Sequence, residues 1–479
     1  MTICSHPAQV KMSAGRQKRD DFFLMHGHTD SMTFYLSTLS KALAAGDLTA
    51  RALTETCLEA IASEDGERAF IEVYTDRARV EADQIDKARQ EGHALPPFAG
   101  IPLSVKDLFD VRGEVTRAGS TVLADNAAAT TDALVVSRLK SAGFILIGRT
   151  NMTEFAFSGL GMNPHYGDPR SPFERDADGG RVAGGSSSGS AVSISDGMAP
   201  ATIGSDTGGS TRTPAAFCGI VGLKPTSTRM PGDGVYPLST SFDAAGPMSN
   251  SVDCAAIMDS IMAGGDGAAE TPFPLAGLRL GMPVGYLFDG LDDAVATSFD
   301  EAVQRLSAAG ATISEISLDI LEKLRPANNP KSIVAAEAFA LHRDRLQSNV
   351  HREYDPFVAS RIKSGGDILA ADYIDQLAKR RQTMRMVQQQ TRVFDALIMP
   401  TSPLIPPEIE ALSTIDAKLK MSGMALRNTA LANFLDRPTI TIPCHKTGAA
   451  PVGLSLMGSH KHDRRLLAIA AGAEATIRG

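Results

Sequence analysis

The sequence is poor in the residues that proteins use to bind nucleic acids and membrane interfaces. It has no tryptophan and only 7 tyrosines among 479 residues, so base-stacking platforms and the aromatic belts of membrane proteins are poorly supplied. Its formal net charge is -8, and no long block of lysine and arginine offsets this charge locally. We therefore expect no nucleic acid and no membrane as a partner, and a small-molecule substrate is favoured.

Cysteine pairing and long apolar runs are also missing. The five cysteines are far apart and form no Cys-x-x-Cys spacing, so we expect free thiols in a reducing compartment. No uninterrupted apolar run approaches the roughly 20 residues that a membrane-spanning helix needs. Together these absences predict a cytoplasmic protein without a disulfide framework.

What remains is the composition of a globular, enzyme-sized chain, with 43% hydrophobic and 21% charged residues. Residues 1–31 have no clean amphipathic pattern and are predicted to form a flexible tail, whereas residues 32–479 form the predicted folded body. Two amphipathic helices are expected between Leu36 and Ala62, interrupted at Gly46. Farther along, strand and helix patterns alternate without a dividing linker, which favours one large α/β domain with a helical periphery.

The first candidate for chemistry is a lysine inside an otherwise apolar run, Gly100 to Asp107. A lysine in such a run usually extends its amine to solvent. If it is buried instead, desolvation lowers its pKa and yields a neutral amine that can accept a proton. An ordinary pKa of about 10.4 would have to fall by about 2–3 units for this. Lys106 is thus a candidate base, provided that Asp107 points away, as alternation along a strand allows.

A second informative segment, residues 184–190, reads Gly-Gly-Ser-Ser-Ser-Gly-Ser. Its composition alone allows a flexible linker. The small apolar residues that follow, Ala191 to Ile194, favour instead a serine cluster that opens a helix and directs free N–H groups at a cleft. The segment also fits the Gly-x-Ser-x-Gly elbow of α/β-hydrolases, with Ser187 at its centre. That motif needs a preceding strand, and the upstream residues are loop-like, so the elbow stays open as the weaker alternative.

A third segment, Gly204 to Arg212, is a Gly-rich turn that follows an apolar stretch. A phosphate-binding loop is one interpretation, but the Gly-Lys-Ser/Thr ending is missing, so a nucleotide site is not expected. The turn offers consecutive backbone N–H groups beside a serine, an arrangement suited to an oxyanion hole next to a nucleophile. These groups belong to Thr207, Gly208, Gly209 and Ser210.

In this order the segments resemble the amidase signature enzymes, from about Leu36 to the C-terminus. The similarity rests on Gly-Ile-Pro-x-x-x-Lys-Asp around Lys106, Gly-Gly-Ser-Ser-x-Gly at 184–189 and Asp-x-Gly-Gly-Ser-x-Arg-x-Pro at 206–214. Further agreement comes from the segments at 222–226, 243–248, 399–401 and 451–454. One departure is Ala183, which stands where a proline often precedes the two glycines in the family, and it puts specificity in doubt more than chemistry.

The resemblance implies a fold and a set of roles. The fold is a large mixed β-sheet sandwiched by helices, with a signature core at about residues 96–260. Ser210 would attack the amide carbonyl, Ser186 on a cis peptide would relay the proton, and Lys106 would be the final base. The implied oxyanion donors are Thr207, Gly208 and Gly209. The implied supports around the triad are Ser187, Asp206 and Arg212, and the pocket candidates are Phe157 and Ser158.

The leading hypothesis is a stand-alone amidase that hydrolyses a small carboxamide, an aryl or acyl amide, or a carbamate-like molecule with water, without a metal or another cofactor. The alternative is the glutaminase subunit of a tRNA-dependent amidotransferase, which requires a partner protein. The stretch Tyr236 to Asp243 does not resemble the Ser-Ser-Leu-Asp-Gln-Ile-Gly run of those subunits, which favours the first hypothesis. A scaffold that only binds amides is a third hypothesis, and a homodimer stays open as the assembly.

Overall fold

The structure, a computed structural model, describes residues 24–26, 29–177, 179–318, 332–348 and 353–479. The predicted tail, residues 1–31, therefore lies largely outside the described residues. Its described positions belong to a pair of antiparallel strands, β1 (Leu24–His26) and β2 (Thr29–Thr33). Among the helices within these ranges, none combines the length and the apolar character needed to cross a bilayer.

The predicted helical N-terminal block is confirmed. The first helix ends at Gly46, which caps it in the left-handed conformation with a φ of 77°. The second helix begins after its N-cap residue Thr49, whose side chain accepts a hydrogen bond from the N–H of Ala52. The helices are α1 (Leu36–Ala45), α2 (Ala50–Ile61), α3 (Glu64–Ala69) and α4 (Thr75–Gln90).

A mixed sheet of eleven strands, counted over the described residues, forms the centre of the fold. The strands are β3 (Phe70–Val73), β4 (Pro102–Lys106), β5 (Ile145–Thr150), β6 (Ala201–Ser205), β7 (Val221–Lys224), β8 (Ala245–Ser249), β9 (Arg279–Val284), β10 (Thr312–Ser317), β11 (Ala396–Pro400), β12 (Thr439–Pro443) and β13 (Gly453–Met457). Their spatial order is β10-β9-β11-β13-β12-β7-β8-β6-β4-β5-β3. Parallel and antiparallel pairs both occur, because β4 pairs in parallel with β5 and β6, whereas β8 pairs antiparallel with β6 and β7.

Helices cover both faces of this sheet, as predicted for a single α/β domain. Ile398 of β11 packs into an apolar cluster with helices near 299 and 466. Its neighbours Leu397 and Met399 pack into a different cluster with helices near 387 and 431, as alternation along a strand requires. The helices after α4 are α5 (Leu134–Ser141), α6 (Ser188–Ser195), α7 (Arg212–Cys218), α8 (Val252–Met262), α9 (Asp293–Ala308), α10 (Ile333–Gln347), α11 (Pro356–Lys363), α12 (Ala370–Thr391), α13 (Ile415–Leu426), α14 (Thr429–Phe434) and α15 (Asp463–Arg478).

The pair of parallel strands β4 and β6 places the candidate site. Lys106 is the last residue of β4 and Ser205 is the last residue of β6, so both lie at the carboxyl edge, where ligands of α/β sheets usually bind. On one face of β4, Leu103 and Val105 enter the main apolar core. On the opposite face, Ser104 hydrogen-bonds Ser193 of α6 at 2.9 Å. Lys106 shares this polar face, which is turned towards the serine-rich segment.

Candidate active site

Lys106 is fully buried, and its described hydrogen-bond partners are hydroxyl groups. Its Nζ atom lies 2.7 Å from Oγ of Ser186 and 2.9 Å from Oγ of Ser205. Burial lowers the pKa of Lys106 to about 7, against the opposing charges of Asp206 and Asp243. The neutral and charged amines are therefore comparably populated near pH 7.

The neighbouring Asp107 points away from this amine, as expected for a residue next along the strand. Its Oδ1 atom accepts a hydrogen bond from Nε of Arg149 at 2.6 Å, and its Oδ2 atom accepts one from the N–H of Gly119 at 2.9 Å. Both side chains of the ion pair are completely buried. The carboxylate next to Lys106 is thus neutralised by another cation, which leaves the lysine free to lose its proton.

Ser186 follows a cis peptide bond after Gly185. Its carbonyl oxygen accepts a hydrogen bond from the N–H of Thr153 at 3.1 Å, and the N–H of Gly185 donates to the carbonyl of Gly159 at 2.9 Å. A side chain at position 185 is impossible, because a Cβ atom there would lie 2.4 Å from the backbone nitrogen of Gly161. The glycine before Ser186 therefore permits two backbone segments to approach closely.

The serine cluster opens α6, as predicted, so neither of the two alternatives for this segment describes it. Ser187 is the N-cap residue of α6 and is completely buried, with its hydroxyl bonded to the carbonyl of Ser205 at 3.3 Å. In the described residues just before it, only isolated bridges at Arg181 and Val182 occur and no strand. The strand that a hydrolase elbow needs is absent from this stretch, and the segment is no flexible linker.

Ser210 stands just before α7 and is brought to the serine cluster by the backbone. The N–H of Ser187 donates to the carbonyl of Ser210 at 3.2 Å, which joins the two candidate segments. Ser210 is only 4% exposed, yet it borders the larger of two cavities in this region. The structure thus brings Ser210, Ser186 and Lys106 into one region at the carboxyl edge of the sheet.

Asp206 organises the loop that carries Ser210. Its two carboxylate oxygens accept from Nε and Nη2 of Arg212 at 3.0 and 2.9 Å, from the N–H of Gly209 at 2.8 Å, and from Nδ2 of Asn433 at 2.8 Å. Burial opposes ionisation, but the Arg212 guanidinium and these hydrogen bonds outweigh it and hold the pKa of Asp206 well below its usual range. Asn433 comes from α14, more than 200 positions away, and no local motif marks it.

The predicted oxyanion donors do not all point the same way. Within the described part of the chain, the N–H groups of Thr207, Gly208 and Ser210 donate to no protein acceptor, and all three residues line the larger cavity. Gly209 directs its N–H to the carboxylate of Asp206 instead. A Cβ atom at Gly209 would also lie 2.1 Å from Oγ1 of Thr429, so this position serves the close packing of the loop.

The larger cavity has a volume of about 320 Å³ and contains both predicted pocket residues, Phe157 and Ser158, in its wall. Sequence reasoning missed the charged part of this wall. Arg361 and Arg427 both line the cavity, and none of the described lining residues is an aspartate or a glutamate. The guanidinium of Arg361 lies 4.3 Å from the ring centre of Phe157. Its Nη1 atom donates to the hydroxyl of Ser422 at 3.1 Å.

A second cavity of about 240 Å³ adjoins the first. It reaches Ser205, the second hydroxyl partner of Lys106, and it extends to the exposed residues Gly232 and Thr240. The two cavities share three lining residues, which are Ala156, Thr207 and Leu238. These three residues therefore form the partition between the cavities.

A family model described as Amidase matches residues 52–467. The chain is 35% identical over 438 residues to 2-amino-5-chloromuconic acid deaminase of Comamonas testosteroni, with 90% of this chain and 93% of that protein covered. It is 33% identical over 473 residues to a subunit of the glutamyl-tRNA(Gln) amidotransferase of Chromohalobacter salexigens, with 91% and 95% covered. A crystal structure of an amidase superposes with a TM-score of 0.82 at 32% identity, covering 92% of this chain and 99% of that chain.

The mixed sheet between helices and the site at its carboxyl edge define a hydrolase that acts on C–N bonds. The chain belongs to the amidase family, as the amidase signature segments predicted. Its relatives include an enzyme named for a small-molecule acid and subunits of amidotransferases.

Proposed function

We propose that this chain is an amidase that hydrolyses the C–N bond of a small molecule through an acyl-enzyme on Ser210. The observation that carries the proposal is the contact between Nζ of Lys106 and Oγ of Ser186 in a site where burial lowers the pKa of the lysine to about 7. A neutral amine can donate a hydrogen bond to the hydroxyl of Ser205 and accept one, through its lone pair, from the hydroxyl of Ser186. A base of this kind works near neutral pH.

In the first half of the reaction, Oγ of Ser210 bonds to the carbonyl carbon. The proton of Ser210 passes to Ser186 while the proton of Ser186 passes to Lys106. The C–N bond then breaks, and Ser186 gives a proton to the leaving nitrogen as Lys106 returns one to Ser186. In the second half, water attacks the ester carbon, and the same relay accepts its proton. The ester bond breaks, Ser186 gives a proton to Oγ of Ser210 as Lys106 returns one to Ser186, and the acid is released.

The negative charge that develops on the carbonyl oxygen needs donors that are not already occupied. We assign this role to the N–H groups of Thr207 and Gly208, together with that of Ser210, because all three residues line the cavity and none of these N–H groups has a described protein acceptor. Gly209 contributes by holding the turn against Asp206. Arg212 supports the same turn by neutralising Asp206.

The wall of the larger cavity favours a substrate that bears a negative group. Arg361 brings a positive charge to this wall, and no described lining residue is acidic. Arg427 also lines the cavity, but its guanidinium donates to the carbonyls of Asp289 and Leu287. Burial lowers the pKa of Arg361 to about 10, so a carboxylate beside it would relieve an unfavourable charge and form the short bonds typical of such pairs. One relative is named for an acid, 2-amino-5-chloromuconic acid, which agrees with this proposal. Phe157 and Ser158 would flank the same group.

The alternative, a glutaminase subunit of an amidotransferase, is supported by the relatives that carry the amidotransferase name. The stretch from Tyr236 to Asp243 favours the stand-alone enzyme, because it lacks the run that such subunits share. Four described cysteines are buried free thiols, which supports the cytoplasm as the compartment.

The experiment is to purify the chain alone and to compare its hydrolysis of glutamine, succinamate and butyramide. We expect ammonia release from succinamate and an acyl group on Ser210, detected by mass after acid quenching. Ser210→Ala is expected to abolish both the acyl adduct and the turnover. Full activity in Ser210→Ala would contradict the mechanism, and glutaminase activity that requires an added partner would contradict the stand-alone enzyme.

A further inference from the structure

The carboxylate of Asp243 belongs to the lining of the second cavity and binds two residues of the partition. One of its oxygens accepts a hydrogen bond from Oγ1 of Thr207. The other oxygen accepts from the N–H groups of Leu238 at 2.9 Å and Ser239 at 3.0 Å. Thr207 and Leu238 are two of the three residues that line both cavities, so one carboxylate fixes most of the partition.

The loop that carries Ser210 therefore has two acidic anchors. Asp206 binds the N–H groups of Gly209 and Thr211 and so fixes the part of the loop nearest Ser210. The side chain of Thr207 is bound by Asp243 instead. Without this second anchor, the N–H group of Thr207 would depend only on its chain neighbours for its direction.

Asp243 also lies within electrostatic reach of the base. Its charge raises the pKa of Lys106, as does that of Asp206, against the larger effect of burial. From α10, Glu337 accepts a hydrogen bond from the hydroxyl of Ser239, in the loop of residues 238–243, and burial together with this second acid raises the pKa of Asp243 to about 6. Arg380 of α12 faces the loop as well, with its guanidinium 3.9 Å from the ring centre of Phe242.

We propose that Asp243 is a positioning residue for the reaction: through Thr207 it directs the N–H group that receives the oxyanion, and its charge acts on Lys106. This inference rests on the proposed function, because it assigns a role within the same site. It separates two contributions of one carboxylate, a hydrogen bond to Thr207 and a charge near Lys106. Each contribution can be removed by a different substitution.

The hydrogen bond is tested by Thr207→Val, which keeps the shape of the side chain and removes the hydroxyl. The probe is p-nitrophenyl acetate, with acylation followed by nitrophenolate release and by the mass of the Ser210 peptide. We expect kcat to fall about 10- to 100-fold with little change in KM, since a small misplacement of a catalytic group has this cost. Thr207→Ser, which restores the hydroxyl, is expected to recover most of the rate. Thr240→Val, an exposed position on the second cavity, is the matched control and should behave as the unaltered enzyme.

The charge is tested by Asp243→Asn. The amide oxygen can still accept from Leu238 and Ser239, and the Thr207 hydroxyl can turn to accept from the amide nitrogen, so the hydrogen bonds are retained. Because a negative charge is lost near Lys106, its pKa should fall. We therefore expect the acidic limb of the pH profile of kcat/KM, where the rate rises with pH, to move to lower pH. Thr207→Val removes a hydrogen bond that lowers the pKa of Asp243, so we expect a shift in the same direction there, but a smaller one, because the carboxylate stays ionised on the alkaline side of the limb. A purely structural role for Asp243 would lower the rate without moving the limb.

The outcomes separate this inference from the proposed function on which it rests. No acyl group on Ser210 of the unaltered enzyme would overturn both. If Ser210 of the unaltered enzyme is acylated, two results would overturn the positioning role alone. One is an unchanged rate in Thr207→Val, and the other is a rate in Thr207→Ser as low as that in Thr207→Val. An acidic limb that stays in place in a folded Asp243→Asn variant, as judged by its melting temperature, would overturn the role of the charge.

Discussion

The amine of Lys106 lies 2.7 Å from the hydroxyl oxygen of Ser186, and the second hydrogen bond of this amine goes to another hydroxyl, that of Ser205. A buried lysine is usually paired with a carboxylate, which would hold its proton. Here the adjacent acid, Asp107, is occupied by Arg149. The arrangement therefore favours the neutral amine that the proposed reaction needs.

The rate of hydrolysis should depend on pH through Lys106. The pKa of this lysine is lowered to about 7 by burial, and only the neutral amine can accept a proton. We therefore expect kcat/KM to rise about tenfold per pH unit below pH 7 and to level off above it. Measuring kcat/KM from pH 5 to 9 checks this expectation.

A second buried lysine supplies the control for this profile. Burial also lowers the pKa of Lys224, to about 8, but its Nζ atom donates to the carbonyl of Pro225 and not to a serine. Lys224→Met should leave the acidic limb in place, whereas Lys106→Met should remove the activity. If the limb moved in Lys224→Met by as much as a full unit, Lys106 would not be the group that titrates.

Lys106 should also reduce the stability of the fold. Between pH 7 and 10.5 the unfolded chain holds a proton on Lys106 that the folded chain has lost, because the ordinary value of 10.5 is lowered to about 7. The free energy of unfolding therefore rises with pH in this window. Lys106→Met has no such proton, so its stability relative to the unaltered protein should fall as pH rises from about 7.5 to about 10. Denaturant unfolding at several pH values measures this difference, and a pH-independent difference would contradict the lowered pKa.

The local part of the site could be predicted from the sequence, and the distant part could not. Lys106, Ser186 and Ser210 stand in segments whose glycines and spacing mark them, and the opposite directions of Lys106 and Asp107 follow from strand alternation. Asn433 and Arg361 carry no such mark, because each is one polar residue on a helix that also has other polar residues. They reach the site only through packing between segments more than 100 positions apart.

Fold prediction had the same limit. The strands at 396–400 and 439–443 are apolar runs, and their pattern predicts buried strands, in line with the structure. The strand Ala245–Ser249 contains glycine and proline, which are rare in strands, and its pattern does not indicate one. It forms because its neighbours β6 and β7 supply the pairing, and such pairing is not visible in a local pattern.

The charge of Arg361 should decide between substrates of the same shape. Succinamate and butyramide differ in a carboxylate that replaces a methyl group, and only the carboxylate can bind the guanidinium. Arg361→Gln should raise KM for succinamate about 10- to 100-fold, as expected for the loss of a charged hydrogen bond, and leave that for butyramide nearly unchanged. Arg361→Lys should be impaired less, and Arg381→Gln, an exposed position on α12, is the control. Equal effects on both amides would mean that Arg361 shapes the cavity without binding an anion.

Removal of one member of the buried ion pair of Asp206 and Arg212 should destabilise the fold. Both side chains are at most 1% exposed, and Arg212 is the main counter-charge of Asp206. Arg212→Ala leaves a buried carboxylate without this cation and should lower the free energy of unfolding by about 3–5 kcal/mol. The exposed pair of Arg343 and Asp344 provides the comparison, since Arg343→Ala should cost less than about 1 kcal/mol.

A double substitution then separates the stability of this loop from its function. Asp206→Asn with Arg212→Met removes both charges and should recover much of the stability that Arg212→Ala loses, because no unpaired ion remains in this part of the interior. The rate should not recover, since the N–H groups of Gly209 and Thr211 would no longer bind a carboxylate that holds the loop of Ser210 in place. Urea unfolding and the rate of acylation, measured on the same variants, check both parts. Recovery of the rate along with the stability would mean that the ion pair serves the fold and that the loop positions Ser210 without it.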